Sequence, residues 1–126
     1  MKALFDTNIL IDHLKGKAEA TDLLQDSIRA GILPACSVIT RIELLSGMRP
    51  EEEKSLERFL AAFEIIDVTD SIARSAGMYL NRYRKSHGIN MADAIIAASA
   101  RHTDARLYTL NTKHYPMNDI EVIKPY

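Results

Sequence analysis

Lys2-Ala3-Leu4-Phe5-Asp6-Thr7-Asn8-Ile9-Leu10-Ile11-Asp12 opens with an apolar run, stops at three polar residues, and resumes as an apolar run. Residues 2–5 are long enough for a short buried strand. The side chains of Asp6, Thr7 and Asn8 can cap a helix that starts at Ile9 and reaches about Leu14. A strand, a polar turn and a helix, with an acid at the carboxyl end of the strand, is the first unit of an α/β fold.

The same alternation continues outward. Residues 18–30 place Ala20, Leu23, Leu24 and Ile28 on one helical face, with Gly31 as the stop. Ile32 to Cys36 reads as a second strand. Ser37 can cap a third helix through Leu45, closed by Gly47, and Pro50-Glu51-Glu52-Glu53 opens a fourth with acids at its positive end. Ile65 to Val68 follows as a strand. Thr69 or Asp70 then caps a long helix toward His87, ended by Gly88, and Asn90 begins another through about His102. Leu107 to Leu110 and Glu121 to Ile123 are the last strands, the final one at an edge beside Pro125. This order predicts an α/β fold with a central, mostly parallel sheet of four to five short strands flanked by helices on both faces.

The chain has 126 residues, 47% of them apolar and 26% charged, with no linker or repeat, which predicts one folded domain over residues 1–126. The first apolar run meets Asp6 too early for a signal segment or a membrane span, so no membrane association and a cytoplasmic location are expected. Cys36, the single cysteine, excludes an internal disulfide and is expected in the core. A net charge of -1 supplies no general attraction for polyanions, so any nucleic-acid contact must be local.

In open α/β sheets the functional crevice lies beyond the carboxyl ends of the strands. There the sequence offers Asp6, Thr7 and Asn8 after the first strand, Thr40 and Glu43 a turn apart on the helix after the second, and Thr109 and Asn111 around the end of the fourth. Asp93 arrives in the first turn of the helix after Gly88, among small residues. Asp6, Glu43 and Asp93 gathered at one sheet edge would repel one another unless a cation held them ionised. Oxygen donors of this kind suit Mg2+ or Mn2+, which would activate water against a phosphodiester. Thr7 or Thr109 can position a ligand or a water.

Each residue also has a plainer role. Asp6 or Thr7 caps a helix, Asp93 favours a helix dipole, Glu43 is a solvated carboxylate, and Asn111 belongs to a turn. The four histidines lack zinc-like spacing and read as surface or helix-end residues, and Ser37 lacks a His/Asp pairing. Arg82, Arg84 and Lys85 form the densest basic run and are candidates for RNA phosphates, as are Arg41, Lys113 and His114 near the site edge. Cations at a helix C-terminus account equally for the run.

Four ordered stretches resemble the PIN-domain nucleases, and within them the VapC toxins of prokaryotic toxin–antitoxin pairs. They are Leu4 to Asp12, Ser37 to Leu44 (Ser-Val-Ile-Thr-Arg-Ile-Glu-Leu), Ile89 to Ala100 around Asn90-Met91-Ala92-Asp93, and Leu107-Tyr108-Thr109-Leu110-Asn111-Thr112-Lys113-His114-Tyr115. The resemblance implies a PIN fold and a metal-dependent endoribonuclease. It assigns the acidic site to Asp6, Glu43 and Asp93, with Thr109 beside them. It also implies a homodimer and a VapB-like antitoxin that brings a basic side chain to the acids. Many relatives carry a fourth acid in the last stretch, where this chain has Asn111, a departure that bears on a second metal.

Two other classes fit the same layout. A domain that transfers phosphate to an aspartate also places acids at strand ends, but a phosphatase of that kind wants an acid two places after Asp6, where Asn8 stands. A PIN-like module that binds RNA or protein without turnover has no need of all three acids.

Overall fold

The computed structural model describes residues 1–126. Its elements run β1 (Lys2–Phe5), α1 (Thr7–Leu14), α2 (Ala18–Arg29), β2 (Leu33–Ser37), α3 (Val38–Ser46), a 3-10 turn (Pro50–Glu52), α4 (Glu53–Leu60), β3 (Glu64–Ile66), α5 (Asp70–His87), α6 (Met91–Thr103), β4 (Arg106–Tyr108), a 3-10 turn (Thr112–His114) and β5 (Val122–Ile123). The five strands form one sheet in the order β3-β2-β1-β4-β5, and every pairing is parallel. No helix is long and apolar enough to cross a membrane.

β1, at the centre, shows why both faces are covered. Successive side chains of a strand point to opposite faces. Leu4 enters a core with Ile72, Ala76, Ala94, Ile96 and Ala97 from α5 and α6. Ala3 and Phe5 enter the other, with Ile9, Leu10, Leu24, Leu44 and Leu56 from α1 to α4. Helix α6 is buried almost all round, from Asp93 through Ala100, and its alanines let it lie close to both α5 and the sheet. That close seat carries Asp93 to the sheet edge.

Pro34 lies in an interior strand, where a proline normally breaks a ladder. The Leu33 N–H bonds the Met1 carbonyl at 3.0 Å, so residues 33, 35 and 37 serve β1 while 34 and 36 face β3. The β2–β3 pairing starts at Ala35, after Pro34, and does not call on the missing N–H.

Several boundaries differ from those expected. Helix α1 starts at Thr7 rather than Ile9, because Asp6 itself is the cap and accepts the Thr7 N–H. β3 covers Glu64–Ile66 instead of residues 65–68: its pairing ends with Ser37 opposite Ile66, and the chain then turns to Thr69, whose hydroxyl accepts the Ile72 N–H. β4 ends at Tyr108 rather than Leu110, although the Thr109 N–H still bonds the Ile123 carbonyl at 3.0 Å. Gly88 closes α5 in the left-handed region at φ 63°, which a glycine adopts without side-chain strain. The chain thereby turns sharply into α6. Cys36 is fully buried, as expected, and burial pushes its thiol up to about 11.

Candidate active site

From β1 the chain winds first to β2 and β3 on one side and later to β4 and β5 on the other, so the direction of winding switches between β1 and β4. A crevice opens at such a point, beyond the carboxyl ends of the strands. Phe5 pairs with Tyr108 there, and the Asp6 N–H bonds the Tyr108 carbonyl at 2.9 Å. Asp6 and Thr109, the next residues of the two strands, therefore stand side by side across the switch point.

Asp6 is buried, at 8% exposure, yet its carboxylate is well supplied with donors. The Thr7 N–H reaches Oδ1 at 2.7 Å, and the hydroxyls of Thr109 and Tyr115 reach Oδ2 at 2.8 and 3.0 Å. Thr7 then links this acid to the next. Its hydroxyl donates to Glu43 Oε1 at 2.6 Å, since an ionised carboxylate only accepts. Thr7 has a single hydroxyl hydrogen, so Thr40, fully buried 2.9 Å away, is the donor in their mutual bond. Thr40 and Glu43 share one face of α3, a turn apart, which places both toward the end of β1.

Asp93, at 9% exposure, comes from α6. It forms a capping box with Asn90: the Asp93 N–H bonds Asn90 Oδ1 at 2.9 Å, and Asp93 Oδ2 accepts the Asn90 N–H at 3.1 Å. The capping role considered for Asp6 is thus real, Asp93 takes part in a capping box as well, and these bonds consume only part of each carboxylate. His114 Nδ1 also approaches Asp93 Oδ2, at 3.1 Å.

Burial is the main reason that the Asp6 carboxyl titrates above the ordinary aspartate range; its hydrogen bonds oppose the shift, and the Asp93 charge adds to it. The Tyr115 phenol is pushed well above its usual value, first by burial and then by the negative charges of Asp6, Asp93 and Glu43. All three acids therefore act on one phenol. They do not close into a cage, because no three Asp, Glu, His or Cys side chains stand close enough together to hold an ion by themselves. Thr7 stands between Asp6 and Glu43, bonded to both.

The donor set nevertheless fits a hard divalent cation. Glu43 is tied through Oε1 alone and Asp93 through Oδ2 alone, while Asp6 Oδ1 accepts a single bond. Each acid thus presents one oxygen with lone pairs to spare, and magnesium is commonly held by one or two carboxylates with water and phosphate completing its shell.

Other expected residues sit at varying distance from this centre. Asn8 Oδ1 lies 3.5 Å from the Leu110 N–H, between the β1 and β4 turns. The Asn111 N–H bonds Thr109 Oγ1 at 3.0 Å, but its side chain turns to His114 Nδ1, 2.9 Å away, rather than to an acid. Arg41 is engaged by Glu57 of α4. Arg82, Arg84 and Lys85 are exposed near the C-terminus of α5, and Lys113 is exposed in the 3-10 turn. Sequence reasoning missed the place of Tyr115, which carries no signal beyond its position at the end of the last motif, whereas His114, expected near the site edge, is brought by the 3-10 turn to 3.1 Å from Asp93.

The ribonuclease VapC10 of Mycobacterium tuberculosis is 43% identical over 123 residues, covering 97% of this chain and 90% of the relative. The ribonuclease VapC19 of the same species is 45% identical over 115 residues, covering 90% and 92%. A chain from a toxin–antitoxin complex of Klebsiella pneumoniae superposes with a TM-score of 0.79 at 32% identity, covering 98% of each chain. Residues 3–119 match the PIN domain, and the chain belongs to the PIN domain family.

Proposed function

We propose that this protein is a VapC-type endoribonuclease toxin that uses Mg2+ or Mn2+ to hydrolyse RNA phosphodiester bonds, with Asp6, Glu43 and Asp93 as its acidic site. The observation that carries this reading is the desolvated Asp6 carboxylate at the β1/β4 switch point. It keeps one lone-pair site open, with Glu43 a single hydroxyl away through Thr7. Relatives named as ribonucleases, aligned over nearly the whole chain, support the activity.

A bound divalent ion supplies charge neutralisation for the phosphodiester and a water of lowered pKa. Asp6 Oδ1 and Asp93 Oδ1 are the oxygens left to hold it. Glu43, anchored through Oε1, keeps Oε2 for the ion or for a proton of the attacking water. Thr109 and Tyr115 fix the Asp6 carboxylate in one orientation, which limits reorganisation during reaction. The neutral Asn111, turned toward His114, contributes no charge for a second ion.

The proposal includes a cytoplasmic setting, a homodimer and an antitoxin partner, the last supported by the Klebsiella toxin–antitoxin complex. A cleft of about 420 Å3, lined by Ile11, Leu14, Leu44 and Met48, reaches Glu43 and suits an apolar segment carrying a basic residue toward the acids.

Cleavage of cellular RNA with Mg2+ or Mn2+ tests the activity. The intact protein is expected to cut, chelator to stop it, and Asp6→Asn and Asp93→Asn to be inactive while still folded. RNA binding without metal-dependent cutting by the intact protein would overturn the proposal.

A further inference from the structure

An ionised aspartate offers about four in-plane lone-pair sites, two on each oxygen. On Asp6, three are taken: one on Oδ1 by the Thr7 N–H, and both on Oδ2 by the hydroxyls of Thr109 and Tyr115, at 2.8 and 3.0 Å. The direction of each bond is set by its surroundings. Thr109 Oγ1 already accepts the Asn111 N–H, which leaves its hydrogen for Asp6, and the Tyr115 hydroxyl has Asp6 as its hydrogen-bond partner. Both donors are buried, so water does not readily replace them.

Asp6 can therefore give a cation one oxygen and not two. Magnesium demands a near-octahedral shell and takes single carboxylate oxygens, whereas calcium takes six to eight oxygens and readily accepts a bidentate carboxylate. The tyrosine ring alone would fill the space above Asp6, and a phenylalanine would do so equally well. What the hydroxyl adds is occupation of the last lone pair on Oδ2.

Resting on the reading of Asp6 as an ion-holding acid, we propose that the Tyr115 hydroxyl is a specificity-determining group. By keeping Asp6 monodentate, it makes the site favour Mg2+ and Mn2+ over Ca2+.

The test is calorimetric titration of the metal-free full chain with MgCl2, MnCl2 and CaCl2 in separate runs, for the wild type and Tyr115→Phe. The variant is expected to narrow the disadvantage of Ca2+ relative to Mg2+ by about tenfold, the scale on which outer-shell partners alter metal affinity. An unchanged Ca2+ to Mg2+ ratio, or a parallel loss of affinity for all three ions, overturns the inference, since the hydroxyl would then serve only to keep the site in shape. If the wild type binds none of the three, Asp6 is not an ion-holding acid and the functional proposal falls with the inference. Should Tyr115→Phe lose its cooperative melting transition, Thr109→Val removes the other donor to the same oxygen and is expected to shift the ratio in the same direction; an unchanged ratio there has the same adverse meaning.

Discussion

His114 Nδ1 lies 3.1 Å from Asp93 Oδ2, the oxygen that also accepts the Asn90 N–H at 3.1 Å. The same nitrogen is hydrogen-bonded to the Asn111 side-chain amide, 2.9 Å away, so the ring lies against Asp93 without aiming an N–H at it. Asp93 thus lies between its own helix cap and the turn after β4. His114→Ala is expected to lower single-turnover RNA cleavage by about 10- to 100-fold, the usual cost of losing an outer-shell partner. Circular dichroism should remain that of the wild type; wild-type cleavage by the variant would remove His114 from the site.

Ion binding should stabilise the protein, and more so at higher pH. Burial raises the Asp6 carboxyl above the ordinary aspartate range, so its ionised form costs native stability above the unfolded-state value, and that cost is relieved as pH falls through the raised native value. Protons and the divalent ion compete for this carboxylate, which makes the stabilisation by Mn2+ small in acid and larger as pH rises past the same point. At an ion concentration near 100 times Kd the gain is about 2.7 kcal/mol. Melting curves from pH 5 to pH 8, with and without MnCl2, check both sign and size, and Asp6→Asn should show little of the shift.

Cys36 should be chemically silent in the folded protein. It is fully buried in β2, and burial pushes its thiol up to about 11, with the charge of Arg41 opposing the shift. The thiolate, the reactive form, is then on the order of one part in a thousand at pH 8. Iodoacetamide is expected to leave the native chain unmodified by intact mass and to add a single carbamidomethyl group in denaturant. Rapid native labelling would show that β2 opens readily.

The basic residues divide by their engagement. Arg41 is occupied by Glu57, whereas Arg82, Arg84 and Lys85 have no acid partner. They precede the Gly88 turn that leads into the Asp93 helix. If they meet RNA phosphates, each lost contact lowers the slope of log affinity against log salt by about 0.7 for a single strand. The triple alanine variant is therefore expected to flatten the slope by about 2 in filter-binding titrations, as three such contacts would. An unchanged slope would leave these residues with only the helix dipole to serve.

The alternation of short apolar runs and amphipathic stretches was enough to determine an α/β fold with a parallel sheet, because side-chain period and capping are local properties. Asp6, Ser37, Thr69 and Asn90 all cap the helices expected of them. Asp6 and Thr109 were legible as neighbours for a related reason: residues just past adjacent parallel strands face one crevice. Tertiary structure alone decided how the site is connected. The hydrogen bonds from Thr7 to Glu43 and from Tyr115 to Asp6 join segments 36 and 109 residues apart, the approach of His114 to Asp93 folds a turn back on a helix, and no local pattern encodes which side chain reaches which oxygen. Burial did the rest, since the raised titration of Asp6 arises from desolvation by side chains that only the packed chain brings around it.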